Sequence, residues 1–346
     1  MNQTENRKDE HVRISLEKNV ASHYNYWDDV KLIHNALPEI NKDDIDLSTR
    51  LFGKNLGAPL IISGMTGGYK KAREINENLA SAAEKFQMGM GVGSQRAALE
   101  NPDLASTYNI VKDFDIPLRF ANIGASQLVL WDHNKTIEFA NKMIEMIDAH
   151  VFMVCLNFLQ EVVQFEGEAH AKGCLQAIAH LSEELDVPVV VKESGAGISY
   201  DVAKRLAKTS ISGIDVGGAG GTSFAAIEHY RAEMINEKIH ERGGKTFWDW
   251  GIPTSTSILE VGEATDWKLP IIATGGIRHG LDAAKSIALG ANCAGIAHAL
   301  LTPANTSKDS TFFEINAIIK ELRAAMFLVG ADTVEKMTEI GAEAWI

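Results

Sequence analysis

The chain is short of cysteine, of positive charge and of long apolar runs. It has three cysteines, Cys155, Cys174 and Cys293, an odd number with no CxxC spacing. That count excludes a disulfide framework and a four-cysteine zinc site, and points to reduced thiols in a cytosolic protein. Lys and Arg total 33 against 46 Asp and Glu, a formal net charge of −13. A nucleic-acid protein normally shows a basic stripe, so no nucleic-acid partner is expected. A local cationic pocket for a phosphate stays open. No apolar run approaches the roughly 18 residues of a membrane helix. The opening MNQTENRKDEH is polar and charged, unlike a signal peptide. The expectation is a soluble, cytoplasmic protein with no membrane partner. Apolar residues make up 45% and charged residues 23%, which excludes disorder as the main state. A length of 346 residues suits two domains or one α/β barrel of about 250 residues with extensions.

Eight short apolar runs recur along the chain, starting at 59, 88, 118, 151, 188, 212, 271 and 293. They are apolar throughout rather than alternating, as strands of a buried parallel sheet should be. Helical periodicity fills the gaps. In 72–86, Ile75, Leu79, Ala82, Ala83 and Phe86 share one face, and 136–148 has the same pattern. Shorter helices are expected over 103–113, 170–186, 200–208 and 280–290, and a long one over 311–329. Asn101–Pro102 reads as a helix start. Strands alternating with helices mean parallel α/β, and eight strands close a TIM (β/α)8 barrel. The sixth and seventh runs start 59 residues apart, too far for one βα unit. The excess, HYRAEMINEKIHERGGKTFWDWGIP, is read as an inserted lid on the C-terminal face. Residues 1–58 are expected to form an N-terminal arm and extension contributing to the active site. Residues 59–302 would form the barrel, and 303–346 a C-terminal helical extension of the same domain. There is no internal repeat, low-complexity tract or Pro/Ser-rich linker.

In a barrel, functional residues follow the strands. Glycine-rich turns follow the sixth and seventh runs, GGAGGTSF at 217–224 and GGIR at 275–278, and Ala297–His298 follows the eighth. Glycines let a ligand approach backbone N–H groups, which bind phosphate oxygens at helix starts. Gly275, Gly276, Ile277, Arg278, Ala297, His298 and Thr222 are therefore a candidate phosphate cradle, with Arg278 as a charged fork. A phosphate there leaves room for a planar ring over the barrel mouth. Met65, Thr66, Gly67, Ser94, Asn122 and Lys192 would surround it. Lys192 ends a strand of valines, and a desolvated cation there would stabilise an anionic ring such as a reduced flavin. FMN fits one phosphate plus this polar set.

Two further groups stand out. Arg7, Lys8, His11 and Arg13 lie close together in the arm, and Arg96 follows the second strand. In so acidic a chain they could meet a polyanionic ligand. Asn157, Gln160 and Glu161 follow the fourth strand. One carboxylate with amide oxygens suits Mg²⁺, which takes one or two carboxylates plus substrate phosphates.

These residues stand in motifs that resemble one family, the type 2, FMN-dependent isopentenyl diphosphate isomerases. The motifs are RKDEH at 7–11, GMTGG at 64–68, GSQRAALEN at 93–101, LNFLQE at 156–161, VKE at 191–193, DVGGAGGTSF at 215–224, WGIPTS at 250–255 and TGGIRHGLDAAK at 274–285. They cover nearly the whole chain in family order. The resemblance implies a homo-oligomeric barrel, tetramer or octamer, using FMN, Mg²⁺ and NADPH as reductant. The implied reaction interconverts isopentenyl and dimethylallyl diphosphates. Arg7, Lys8, Ser94, Gln95, Arg96, Asn157 and Gln160 would hold this prenyl diphosphate substrate. Glu161 would bind the metal, Gln160 and Lys192 would serve catalysis, and the cradle and ring set would hold the flavin.

The chain departs from the family pattern at three places. Cys155 stands where the family usually has histidine, Phe165–Glu166 where it has Pro-Glu, and ESGAG at 193–197 where it has EVGFG. Two alternatives follow. An FMN-dependent 2-hydroxyacid oxidase would want a histidine before the arginine of the seventh loop, but His279 comes after Arg278. A non-catalytic flavin- or prenyl-phosphate-binding paralogue would explain Cys155, but not the retention of Gln160 and Glu161.

Overall fold

The computed structural model describes residues 3–344. Eight parallel strands close a barrel: β1 (Leu60–Ile62), β2 (Gly89–Gly91), β3 (Leu118–Gly124), β4 (Val151–Cys155), β5 (Val189–Lys192), β6 (Gly213–Asp215), β7 (Ile271–Thr274) and β8 (Cys293–Ile296). Each expected apolar run forms one of them. The strands are buried along their length apart from a few end positions, because side chains fill the barrel on one side and helices cover it on the other. The register closes where β8 pairs with β1, Gly295 beside Ile61.

The flanking helices follow their apolar faces. The helix Ala72–Phe86 buries Ile75, Leu79, Ala82 and Ala83 and ends at Gln87 in the left-handed conformation. The helix expected at 136–148 runs His133–Ile147, because Asp132 caps it by accepting from Lys135 N–H. The segment 103–113 is not one helix. It breaks into short turns at Pro102–Ala105, Ser106–Asn109 and Ile110–Asp113, and Asn101 caps the first as the sequence suggested. The helix at 170–186 starts only at Cys174, since Gly173 is left-handed.

The ends of the chain wrap the barrel. A hairpin, Thr49–Leu51 with Lys54–Leu56, closes the N-terminal end by packing Leu51, Phe52 and Leu56 on Ile61, Leu118 and Phe120. Val30–Lys31 pairs antiparallel with Glu343–Ala344, so the two extensions meet. The arm is helical: α1 (Gln3–Glu17) crosses the C-terminal mouth of the barrel and buries Ile14. Three more helices position the site. They are α2 (Phe158–Val163) after β4, α3 (Phe224–Met234) after the glycine loop of β6, and α4 (His298–Thr306) after β8. The insertion before β7 contributes the end of α3, a helix Lys238–Thr246 and a turn at 247–253. That turn is tied down on the C-terminal side. Trp248 Nε1 donates to Ala21 O, Ser223 Oγ donates to Trp248 O, and Asp249 accepts from Ser22 Oγ and His23 N–H.

Candidate active site

Two adjoining chambers open at the C-terminal ends of the strands. The larger is about 640 Å³ and the smaller about 170 Å³. Gly64, Met65, Lys192, Ser194 and Phe224 line both, and His11 and Val12 of α1 roof both. The two chambers therefore share a wall and a roof.

The larger chamber is built on the glycine turns. Gly217, Gly218, Gly221, Thr222, Gly275, Gly276, Ile277, Arg278, Ala297 and His298 all line it. The turns interlock too tightly for side chains. A Cβ on Gly275, whose φ is +125°, would lie 2.2 Å from Thr254 Oγ1 and 2.4 Å from Gly218 O. The N-terminus of α4 faces the same space with no side-chain cap, an arrangement that favours an anion. Arg278 lines the chamber and also ties its turns together. Its Nη1 donates to Asn25 Oδ1 and Gly276 O, and its Nη2 to Gly220 O. The fork clamps the two glycine turns together while its charge still lines the chamber. Trp27 supports the same turn through Nε1 to Gly275 O. His298 donates through Nε2 to Ser15 O, joining α4 to the roof.

Lys192 ends β5 at the junction of the chambers. Its Nζ donates to Glu193 O at 3.0 Å and lies 3.5 Å from Cys155 Sγ. Burial works against its proton, but Asp215 and Glu193 outweigh burial and hold the ammonium above its ordinary pKa. Burial pushes the Glu193 carboxyl up to about 7 and the Asp215 carboxyl up as well. Asp215 accepts from Thr274 Oγ1 at 3.0 Å. A permanent cation thus sits in a dry wall, where it is worth most to an anion.

The smaller chamber is lined by Arg7, Lys8, Met65, Thr66, Gly67, Ser94, Arg96, Asn122, Asn157, Gln160 and Glu161. Every residue assigned to substrate, metal or ring thus lines one of the chambers except Gln95. Gln95 is wholly buried, with Nε2 donating to Met143 O and Oε1 accepting from Asn122 N–H. It braces the β2 and β3 loops from behind. Lys8 donates to Ser94 O at 2.8 Å, and burial with help from Arg7 lowers its pKa to about 7. Arg96 grips Glu100 at 2.6 Å and Glu168 at 2.5 Å. Arg13 is turned away, donating to Met234 Sδ.

Glu161 is presented by α2. Its Oε1 accepts from Asn157 Nδ2 at 2.9 Å and its Oε2 from Glu168 N–H at 2.8 Å. One carboxylate beside two amide side chains is a hard-oxygen donor set. Among the described residues no three His, Cys, Asp or Glu side chains cluster to hold a metal by themselves. That composition fits Mg²⁺ shared with a ligand's phosphates. Fit to a ring is tested at Asn122, whose buried Oδ1 has no partner among the described residues. It is an acceptor awaiting a donor, and leaving it so costs about 1–3 kcal/mol. The chamber walls therefore fit a phosphorylated heterocycle beside a diphosphate-sized space.

The departures can now be placed. Cys155 lines the smaller chamber, and burial raises its thiol pKa, so it stays neutral where histidine could carry charge. His150 does not compensate. It precedes β4 at the opposite end, roughly 16 Å away at about 3.3 Å per residue, and Nδ1 accepts from Arg119 N–H. Ser194 and Ala196 turn their N–H groups onto Glu193 Oε2. His279 is not in either chamber; it caps the helix Gly280–Ala288.

Some site residues escaped the sequence reading. Thr4, Val12 and Ser15 face the chambers from α1, beside Lys8 and His11, which the sequence had already singled out. Their spacing follows one helical face, which was the available signal. Phe224, between the chambers, follows directly on the glycine loop. His11 Nε2 donates to Glu228 at 2.8 Å, and burial keeps its pKa low despite that partner.

Comparison with known proteins gives three findings. The family model described as FMN-dependent dehydrogenase matches residues 153–342. Three archaeal proteins named isopentenyl-diphosphate delta-isomerase align over almost everything. The Picrophilus torridus protein is 43% identical over 96% of this chain and 94% of its own. The Methanosarcina mazei protein is 44% identical over 97% and 91%, and that of Methanoregula boonei 46% over 96% and 92%. Among solved structures, a mandelate oxidase superposes with a TM-score of 0.62 over 98% of this chain and 90% of that one, at 15% identity, a likeness of fold alone. No helix of the described residues is long and apolar enough to cross a membrane.

Proposed function

The chain belongs to the FMN-dependent isopentenyl-diphosphate delta-isomerases, and from that premise we propose how its two chambers divide the work. The larger would take the phosphate end of FMN, with its ring at the shared wall toward Asn122, and the rest of the smaller would take the diphosphate of isopentenyl or dimethylallyl diphosphate, which the enzyme interconverts. The observation that carries this reading is the shared wall: Met65, Lys192 and Phe224 face both spaces. A ring in one thereby meets a hydrocarbon tail from the other.

Moving a double bond requires a proton added at one carbon and removed at another. An unactivated alkene is a poor base, and its cationic transition state needs an electron-rich neighbour. Reduced FMN, when bound, supplies that electron-rich face and the acid–base function. The chain supplies the rest. The glycine turns and the α4 N-terminus receive the phosphate. Asn122 accepts a ring donor, and Lys192 favours an anionic ring. Arg7, Lys8, Arg96 and Ser94 anchor the diphosphate, so that the short tail meets the ring in one pose. Gln160, which lines the smaller chamber, would stand near the substrate. Glu161, with Asn157, would hold Mg²⁺, which neutralises diphosphate charge. Helix α1 would help to keep water out. NADPH is the reductant we assign.

The test is turnover. Reduced, FMN-loaded protein given isopentenyl diphosphate and Mg²⁺ should form dimethylallyl diphosphate, and omission of FMN should abolish it. Oxidation of mandelate or lactate in place of isomerisation would overturn the reading in favour of the oxidase chemistry of the same barrel.

A further inference from the structure

Three segments reach the site from distant parts of the chain and meet behind it on one guanidinium. Arg231, on α3, has a side chain only 3% exposed. Its Nε donates to Glu10 of α1 at 2.9 Å, its Nη2 to Glu166 at 2.6 Å and its Nη1 to Glu228 at 2.7 Å. The ring of Phe165 covers the guanidinium at 4.9 Å. The other oxygen of Glu228 accepts from His11.

Each partner leads to a functional group. Glu10 rides on the same helix as Arg7 and Lys8. Glu166 lies in the 164–168 loop, whose Glu168 N–H holds Glu161 Oε2 and whose Glu168 carboxylate holds Arg96. Glu228 is on the helix that begins at Phe224. None of Arg231, Glu10 and Glu166 lines a chamber. Buried ion clusters add little net stability over an apolar core of the same shape. What a planar guanidinium with five fixed donors adds is relative geometry. Three carboxylates around one cation would also push the segments apart if that cation were lost.

We propose that Arg231 is a positioning residue: by tying Glu10 to Glu166 it sets the N-terminal helix against the Glu161 loop, and so assembles the diphosphate and divalent-cation subsite. The proposal rests on the reading of the smaller chamber as a diphosphate site. Misplacement of about 1 Å can cost around a hundredfold in a preorganised site, so cutting a strut should read out as affinity.

The test is calorimetric titration of the FMN-loaded protein with inorganic pyrophosphate, at several Mg²⁺ concentrations. Wild type is compared with Arg231→Gln, Arg231→Lys, Glu10→Gln and Glu166→Gln, with thermal unfolding and FMN affinity measured alongside. The expected result is pyrophosphate affinity lower by about fivefold or more in Glu10→Gln and Glu166→Gln. Glu166→Gln should also raise the Mg²⁺ needed for half-saturation, and Glu10→Gln should not. Arg231→Lys, which keeps the charge but not the fork, should fall between wild type and Arg231→Gln. FMN affinity should hold. Should Arg231→Gln fail to fold, the two glutamine variants decide alone. Wild type that binds pyrophosphate, with variants that bind it equally and lose only melting temperature, would overturn the positioning role. Wild type that binds no pyrophosphate would overturn the diphosphate reading and this proposal with it.

Discussion

Lys192 and Lys8 are both buried cations, and their surroundings set them apart. Lys192 keeps its proton against burial because the carboxyl groups of Asp215 and Glu193 face it. Lys192→Met would leave Asp215 buried against no cation, a loss of about 3 kcal/mol, and would weaken FMN binding. Urea unfolding with and without FMN checks both effects. Adding Asp215→Asn should recover most of the stability and little of the flavin affinity. Lys8 has no such acidic pair close by, and its pKa falls to about 7 through burial and Arg7. It is charged, and fit to hold a diphosphate, only below that pH. Because kcat/KM reports the free enzyme, it should fall as pH rises through about 7, while kcat holds to higher pH. Lys8→Arg should move that limb upward, since a guanidinium stays charged. An unmoved limb in Lys8→Arg would assign the titration to another group.

At the scale of elements, the turns after β6 and β7 make one interlocked cradle. Gly275→Ala places a Cβ on Thr254 and Gly218 at a φ of +125°. It should cost FMN retention by about tenfold or more at a modest loss of stability, read by flavin release on dilution. All eight strands were legible because continuous apolar runs between turn residues have one economical solution, a buried parallel sheet. Helix α1 was not. Its chamber-facing side carries Thr4, Lys8, His11 and Ser15, polar residues that face ligand space rather than a core. A functional face thus breaks the apolar pattern by which helices are found. Gln95 and Arg278 show the converse limit. Residue type and loop position identified both as polar groups at the barrel mouth, but only packing shows that one braces a loop and the other clamps two turns.

For the whole molecule, barrel and extensions form a single enclosure. The barrel supplies the floor and cradle, and α1 supplies the roof. The strand count and the order of the glycine turns predicted the floor. The cover depends on contacts between segments more than 200 residues apart, such as Trp248 with Ala21 and His298 with Ser15, and no local pattern encodes these. The account turns on a reduced flavin meeting an alkene across the shared wall. The most direct test is NMR of isopentenyl diphosphate with the FMN- and Mg²⁺-loaded protein in D₂O, once with dithionite and once with oxidised flavin. Dimethylallyl diphosphate carrying solvent deuterium in the reduced sample alone is the predicted result. Bound, reduced flavin with neither product nor deuterium exchange would contradict the account.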